Sequence, residues 1–219
     1  LAVVRPADTK QVSDVVKLAN AEKIAIVPMG GNTGLVGGTH AQGALVLSLE
    51  RLNTIREVRA SSRIAVVEAG VVLDSLHRAV DENDLIFPIT FGARGSAMLG
   101  GMLSTNAGGS NVLRYGNTRD LCLGLEVVLP SGEIMDLMSE LHKDNSGYDL
   151  RHLMIGAEGT LGIITAAVLK LQPKPNAYAT AMVATRSLEE ALLLLNSVQM
   201  ATGGAVQAFE YMPEKYLKK

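Results

Sequence analysis

The sequence predicts a fold that combines helices with strands, and three segments of the chain support this prediction. An amphipathic helix near the start lies between two apolar runs, which is the order of a β-α-β unit. Further along, "EVVLPSGEIMDL" has two apolar runs around Pro130, Ser131 and Gly132 and predicts a hairpin. The apolar "GIITAAVLKLQPKP" predicts a long strand that ends at two prolines. Both kinds of element are therefore expected in one chain.

The first elements in the sequence are a strand, a helix and two more strands. The apolar "LAVVRP" predicts a strand at the first residue. The helix covers "ADTKQVSDVVKLANAEK", because Asp8 can cap its first turn together with Gln11, three residues later. One apolar stripe runs along this helix and consists of Val12, Val15, Val16 and Ala19. Strands follow at residues 24–27, where Pro28 ends the strand, and in "ALVLSL".

The segment "MGGNTGLVGGTH", directly after the strand at residues 24–27, has glycine at five of its twelve positions. Bare main chain is needed where the backbone turns sharply or approaches another group closely. The amides of such a turn can converge on an anion, and open sheets commonly bind ligands at the carboxyl ends of their strands. A long surface loop is the alternative, and this segment alone does not decide between the two. Its spacing matches neither the dinucleotide fingerprint nor the phosphate-binding P-loop.

Two elements follow in the middle of the chain. "RIAVVEAG" predicts a strand, and the next segment predicts a helix that ends near Asn83. The apolar face of this helix consists of Leu73, Leu76 and Val80. After the long strand, the Pro-Lys-Pro at residues 173–175 predicts a domain boundary.

The C-terminal segment predicts a separate β-α-β unit. Its strands are "ATAMVAT" and "AVQAFEYM", and Ser187 with Glu190 caps the helix between them. The inner face of this helix consists of Leu188, Leu192 and Leu195. Two strands and one helix cannot bury their own faces, so we expect the sequence to end within a second domain.

A second glycine-rich segment covers residues 91–116, "FGARGSAMLGGMLSTNAGGSNVLRYG", and contains seven glycines. Ser96, Ser104, Thr105 and Asn106 lie among these glycines, a composition that suits an extended polar ligand. The alternative, for "SAMLGGMLSTNA", is a short and tightly packed helix in which glycines let a neighbour approach closely. In a third segment, "GAEGTLGIIT", Glu158 stands between glycines, where it binds a ribose or a ring edge or caps a turn.

Composition excludes several classes of function. The net charge of −2 gives no electrostatic reason to expect nucleic acid or an anionic membrane surface as a partner. No apolar run has the length of a membrane span. The single cysteine, Cys122, excludes an internal disulfide framework, and its leucine neighbours predict burial. His40 and His77 have no partner at metal-ligand spacing, so no metal site is expected.

Five blocks of sequence carry a resemblance to a known family. In chain order they are "PMGGNTGLVGG", "GARGSAMLGGMLSTNAGG", "LRYGNTRDLCLGLEVVLPSGEIMDL", "DNSGYDLRHLMIGAEGTLGIIT" and "LKLQPKP". Together they cover about residues 2–175 and resemble the FAD-binding domain of the vanillyl-alcohol-oxidase and p-cresol-methylhydroxylase flavoprotein superfamily. More narrowly, they are similar to its D-2-hydroxyacid dehydrogenase branch, which includes D-2-hydroxyglutarate dehydrogenase, D-lactate dehydrogenase and the glycolate oxidase flavoprotein subunit.

This resemblance implies an α+β fold, in which a two-lobed PCMH-type FAD-binding domain is followed by the beginning of an α+β cap domain. The implied boundaries are residues 1–175 for the FAD-binding domain, with lobes at about 1–55 and 56–175. Residues 176–219 would be the start of a truncated substrate or cap domain. In the family, FAD lies between the lobes, and the cap closes over the isoalloxazine ring.

The resemblance also implies which residues bind FAD. The pyrophosphate would be held by main-chain amides of Gly30, Gly31, Asn32, Thr33, Gly34 and Leu35, with Pro28 ending the strand before them. The ribityl chain and the flavin would be lined by Gly95, Ser96, Gly100, Gly101, Ser104, Thr105, Asn106 and Gly109. The rest of the cofactor would lie near Gly156, Glu158, Gly162 and Ile164. Positions that carry a covalent flavin link in some relatives have no histidine here, so the implied FAD is non-covalent.

The implied reaction is the FAD-dependent oxidation of a D-2-hydroxy acid to the 2-oxo acid, with hydride transfer to flavin N5. The family's catalytic histidine, arginine and metal site lie in a cap segment like "HxHxGDGNxH", which does not occur in this sequence, so the catalytic residues stay unknown. The implied partners are a small 2-hydroxy acid and a separate electron acceptor, namely a quinone, a cytochrome or an electron-transfer flavoprotein. Whether the protein forms a homodimer stays open. The expected location is the cytoplasm, or the mitochondrial matrix in a eukaryote.

Two alternative functions stay open at this point. The enolpyruvyl reductase of cell-wall synthesis has the same fold and uses NADPH to reduce its flavin, although "GYDLRHLMIGAEGTLGIIT" suits the dehydrogenase branch better. The other alternative is a non-catalytic flavin- or nucleotide-binding subunit of a larger complex, in which the glycine segments are architectural.

Overall fold

The computed structural model describes residues 2–217, so Leu1 of the first predicted strand and the last two residues of the predicted cap segment lie outside the described residues. Ten strands and seven α-helices form within this range. In chain order they are β1 (Val3–Val4), α1 (Thr9–Ala21), β2 (Ile26–Met29), β3 (Leu45–Ser48), β4 (Ile55–Arg59), β5 (Ile64–Glu68), α2 (Leu73–Asp81), β6 (Leu85–Ile86), α3 (Leu99–Ser104), α4 (Val112–Tyr115), β7 (Cys122–Val128), β8 (Ile134–Leu137), α5 (Leu150–Met154), β9 (Ile163–Lys170), β10 (Gln172–Pro173), α6 (Leu188–Ala201) and α7 (Glu214–Leu217). The predicted mixture of helices and strands is confirmed.

A three-stranded parallel sheet and helix α1 form the N-terminal part of the fold. The strand order is β1-β3-β2, with every pair parallel. Helix α1 begins at the predicted cap, because Asp8 Oδ1 accepts a 2.7 Å hydrogen bond from the Gln11 amide. The apolar stripe packs inward, with Val12, Val16 and Ala19 buried.

The predicted end of the second strand is wrong by two residues, since β2 continues through Pro28 to Met29. Pro28 pairs with Leu47 of β3. Proline lacks an amide proton, and it is tolerated here because β2 lies at the edge of its sheet. The strand also begins later than predicted, because the amide of Ile24 still donates to the carbonyl of Ala19 in α1, at 2.8 Å.

A five-stranded antiparallel sheet forms the larger part of the fold, in the order β4-β5-β9-β7-β8. Strand β9 is central, and seven of its eight residues are buried. The predicted hairpin is confirmed as β7 and β8, with Val128 opposite Ile134. Strand β4 is not predicted from the sequence, because charged residues at positions 56, 57 and 59 interrupt the apolar pattern of this edge strand.

The main core packs α2 and α3 against the antiparallel sheet. Leu73, Leu76 and Val80 of α2 are buried, as the sequence predicts. Helix α3 confirms the packed-helix alternative for "SAMLGGMLSTNA", because Leu99, Met102 and Leu103 belong to the same core. The long strand ends at Lys170 rather than at the prolines, and Pro173 instead belongs to β10, which pairs with β6.

Helix α1 also contacts the antiparallel sheet and joins the two parts of the fold. Val12 and Val16 pack against Val128 of β7 and Ile163 of β9. Thr9 Oγ1 donates a 2.6 Å hydrogen bond to Glu126 Oε1, so the start of α1 is tied to β7 through side chains.

The C-terminal segment differs from the prediction. Helix α6 begins at the predicted cap, because the Glu190 amide donates to Ser187 Oγ at 3.2 Å. The segments "ATAMVAT" and "AVQAFEYM" form no strands, since neither pairs with a strand within the described part of the chain. The leucines predicted on an inner face are not enclosed: Leu188 and Leu192 are exposed, and Ala191 alone is buried on α6.

Candidate cofactor site

The three glycine-rich segments meet in one cleft between the parallel sheet and the antiparallel sheet. One wall is the loop that follows β2, a second is α3 with the residues before it, and the third is the turn that precedes β9. The cleft is lined by Pro28, Met29, Gly30, Gly31, Asn32, Thr33, Gly34, Val36, Gly38, Thr39, Leu49, Phe91, Ala97, Met98, Gly100, Gly101, Met102, Ser104, Thr105, Ala107, Glu158, Gly159, Gly162, Ile163 and Ile164.

The first wall is an open loop with a defined main-chain conformation. Asn32 adopts a left-handed conformation with φ of 52°, and its Oδ1 accepts a 2.6 Å hydrogen bond from Thr39 Oγ1. The amides from Gly31 to Gly34 donate no hydrogen bond to any of residues 2–217. A row of main-chain donors is therefore free to bind a ligand.

The second wall is helix α3, whose glycines have two different roles. A Cβ atom added to Gly100 would lie 2.7 Å from Ala69 Cβ, so Gly100 permits close packing on the segment after β5. A Cβ atom added to Gly101 would meet nothing within 4 Å. The hydroxyls of Ser104 and Thr105 donate back into the helix, to the carbonyls of Gly100 and Gly101 at 2.7 and 3.0 Å. Their oxygen lone pairs remain available to a ligand.

The third wall places Glu158 opposite the first loop. A Cβ atom on Gly38 would lie 3.8 Å from Glu158 Oε2. Glu158 has φ of 53°, and its amide donates to the carbonyl of Ser104 at 2.9 Å. The exposed carboxylate makes no hydrogen bond or ion pair with another described residue. The next residue, Gly159, packs on Pro28: a Cβ atom there would lie 2.6 Å from Pro28 Cγ.

Most of the residues predicted from the sequence line this cleft. They are Pro28, Gly30, Gly31, Asn32, Thr33, Gly34, Gly100, Gly101, Ser104, Thr105, Glu158, Gly162 and Ile164. The structure does not place Leu35, Gly95, Ser96, Asn106, Gly109 or Gly156 in the wall. Leu35 is fully exposed, whereas Gly109 packs on the main chain of Thr90.

Several lining residues were not predicted from the sequence. Apolar side chains such as Phe91 and Met98 lie among the glycines of the second segment, where their pattern is that of ordinary core positions. Gly38 and Gly159 belong to glycine clusters that were recognised, so they could have been included on that signal.

Charged side chains are nearly absent from the cleft. Glu158 is the one ionisable side chain among the lining residues that the structure describes. Cys122 lies elsewhere, in the core as predicted, where burial raises the pKa of its thiol to about 12. Residues 2–217 contain no cluster of His, Cys, Asp and Glu that could hold a metal ion. Over the same range, the helices are all too short or too polar to cross a membrane.

A parallel sheet and an antiparallel sheet that meet at a glycine-walled cleft define a cofactor-binding domain. The chain belongs to the FAD binding domain family, whose model matches residues 1–138. The cofactor of this family is FAD, and the resemblance stated from the five blocks is confirmed.

Curated relatives of this chain include D-2-hydroxyglutarate dehydrogenases. One from Xanthomonas citri is 44% identical over the whole of this chain, which covers 46% of that relative. The mitochondrial enzyme of Bos taurus is 39% identical over 99% of the chain, which covers 40% of it. A solved structure of alkyldihydroxyacetonephosphate synthase matches 80% of the chain and 32% of its own length, with a TM-score of 0.71 and 27% identity. The chain thus spans less than half the length of the curated relatives described here.

Proposed function

We propose that this chain is the cofactor domain of an FAD-dependent dehydrogenase that oxidises a D-2-hydroxy acid to the 2-oxo acid. The convergence of three glycine segments on one cleft is the observation that carries the proposal. The names of the Xanthomonas and cattle relatives support D-2-hydroxyglutarate as the substrate. These relatives also favour the dehydrogenase over the enolpyruvyl reductase.

The cleft fits the chemistry of FAD. Its pyrophosphate is anionic, and the free amides from Gly31 to Gly34 are suitable donors for it. No lysine, arginine or histidine stands among the described lining residues, so these amides would bind the phosphates without a cationic side chain. Gly101 leaves open space above the helix main chain, where a flat or extended group can approach. The predicted FAD contacts of the other residues, apart from Asn106 and Gly156, remain part of this proposal.

The chain supplies binding and orientation for the reaction. When bound, FAD would accept the hydride from the substrate α-carbon. Among the lining residues, Glu158 alone is ionisable, so this wall offers no cation to hold a substrate carboxylate and no histidine to take the hydroxyl proton. Those groups would come from the rest of the protein. The lining residues also include no His, Cys or Tyr, which supports non-covalent FAD.

The remaining features of the whole protein follow as proposals. Residues 1–175 would form the FAD-binding domain, and residues 176–219 would begin the cap; the exposed leucines of α6 support a separate unit. A separate acceptor, namely a quinone, a cytochrome or an electron-transfer flavoprotein, would reoxidise the flavin. The location would be the cytoplasm in a bacterium and the mitochondrial matrix in a eukaryote, in line with the name of the cattle relative.

The experiment is to purify the full-length protein, with the part that would supply those groups, and to record its visible flavin spectrum before and after anaerobic addition of D-2-hydroxyglutarate. We expect a yellow protein that bleaches with the D-enantiomer, while the L-enantiomer serves as the control. Mass spectrometry of the ligand released on denaturation identifies the flavin. A protein that neither contains nor takes up FAD would overturn the proposal for the cofactor, and a bound flavin that no D-2-hydroxy acid reduces would overturn the proposal for the reaction.

A further inference from the structure

Arg119 connects the second and third glycine segments, although it does not line the cleft. It lies in the short 3-10 helix at residues 118–121, directly before β7. Its guanidinium donates through Nη1 to the carbonyl of His152 and through Nη2 to the carbonyl of Ile155. These carbonyls lie at the end of α5, where no further helical turn uses them. Arg119 has no carboxylate partner within the described range, so its donors serve the main chain.

The same arginine is fixed from the side of the second segment. Its amide donates to Asn106 Oδ1 at 3.0 Å, and Asn106 is the second residue after α3. A Cβ atom on Gly156 would lie 3.0 Å from Arg119 Nη2 and 3.6 Å from Asn106 Cβ. Asn106 and Gly156 are two of the predicted FAD contacts that the structure keeps out of the cleft wall. Both residues instead contact Arg119.

The contact with Arg119 is made two residues before the turn reaches the cleft. Gly156 donates its amide to the carbonyl of Leu103 at 3.0 Å, and Glu158 donates to Ser104 at 2.9 Å. The turn then continues through Gly159, which packs on Pro28. The carbonyls bound by Arg119 therefore lie just before the short turn that positions Glu158 and Gly159 in the cleft wall.

We propose that Arg119 is a positioning residue for the FAD site, with Asn106 and Gly156 as its partners rather than as ligands of the cofactor. The inference rests on the proposed function, because it concerns the cleft that would hold FAD. Arg119 would hold the turn at residues 156–159 against α3, so that the third wall is in place before the cofactor binds. Removal of the Arg119 side chain would lower the affinity for FAD, although no group that contacts FAD would be removed.

The chemistry of the contact requires an arginine. Guanidinium nitrogens diverge in one plane and can donate to two carbonyls at once, whereas an ammonium group is a compact point donor. Lysine at position 119 would keep the charge and one carbonyl contact. We therefore expect a graded loss, with Arg119→Lys weaker than the native protein in FAD affinity and Arg119→Ala weaker still.

The test measures FAD affinity by flavin fluorescence on titration into deflavinated protein, together with the visible circular dichroism of the bound flavin. For Arg119→Ala we expect the dissociation constant to rise roughly tenfold. Added guanidinium ions at low millimolar concentration should recover part of this loss, and ammonium ions should not. Arg51→Lys is the matched control, because Arg51 Nη1 also donates to a carbonyl, that of Arg5 at 3.0 Å, and neither Arg51 nor Arg5 lines the cleft.

The outcomes separate this inference from the proposed function. If the native protein does not bind FAD, the proposed function fails. If the native protein binds FAD and Arg119→Lys and Arg119→Ala bind it equally well, the positioning role is wrong. If Arg119→Ala does not fold, Arg119→Lys is the deciding variant. An unchanged FAD dissociation constant and unchanged flavin circular dichroism would overturn the inference. A higher dissociation constant together with altered dichroism would support it.

Discussion

A Cβ atom on Gly31 would lie 1.9 Å from the carbonyl oxygen of Ser96, and 2.8 Å from its carbonyl carbon. The first and second glycine segments are therefore in main-chain contact, and the contact exists because Gly31 has no side chain. The two segments also approach each other at Gly30, where an added Cβ atom would lie 3.5 Å from Met98 Cβ.

Gly31→Ala should push these two segments apart. The carbonyl of Ser96 belongs to the main chain, so it can move away from the new Cβ atom only if the backbone itself shifts. We expect the free energy of unfolding to fall by about 1–3 kcal/mol and flavin retention to fall with it. Gly92→Ala is the control, since a Cβ atom there would meet nothing within 4 Å. Urea denaturation and the flavin content of purified protein are the measurements. A Gly31→Ala variant as stable and as yellow as Gly92→Ala would contradict the contact.

Gly100 and Gly101 allow stability to be distinguished from ligand binding within one helix. Gly100→Ala should lower the free energy of unfolding by about 1–3 kcal/mol, because its Cβ would press on Ala69 at 2.7 Å. Gly101→Ala should raise stability by up to about 1 kcal/mol, since alanine favours a helix and no atom lies within 4 Å. Gly101→Ala should nevertheless weaken FAD binding, because Gly101 lines the cleft. Thermal unfolding without FAD and FAD titration together test both statements; equal effects of the two changes on stability would refute this assignment.

Glu126 should stabilise the contact between α1 and the antiparallel sheet. Its Oε1 accepts hydrogen bonds from Thr9 Oγ1 at 2.6 Å and from the buried Thr165 at 2.8 Å. Glu126→Ala leaves both hydroxyls without this partner, so we expect a loss of about 1.5–3 kcal/mol in urea denaturation. Glu133→Ala, in the exposed hairpin turn, should change stability by no more than about 0.5 kcal/mol. Similar values for the two variants would show that Glu126 has no such role.

Cys122 should resist alkylation in the folded protein. Burial raises the pKa of its thiol to about 12, and the thiolate is the reactive form. Raising the pH from 7 to 10 should therefore leave the folded thiol protonated and unreactive, whereas the unfolded chain should react increasingly above its ordinary pKa of about 8.5. Mass spectrometry after iodoacetamide treatment, with and without urea, checks this. Rapid labelling of the folded protein at pH 8 would disagree with a buried thiol.

Elements with a strong local signal were predictable from the sequence. Helix α1 has both a capping residue, Asp8, and a regular apolar stripe, and the hairpin has Pro130 and Gly132 between two apolar runs. The strands expected around α6 did not form, although their residues have strand character. A strand needs hydrogen-bonding neighbours, and a local pattern cannot say whether they are present.

By itself, the sequence determined the mixture of helices and strands, the order of the three glycine segments and the resemblance to FAD-binding domains. The tertiary structure alone decided which glycines of the cleft wall pack closely on other parts of the fold and which face open space, as with Gly100 and Gly101 at adjacent positions of α3. It likewise brought Arg119 to the carbonyls of His152 and Ile155. The reason is physical: a glycine or a main-chain carbonyl has no side chain to indicate its role, which depends on what distant segments of the chain bring beside it.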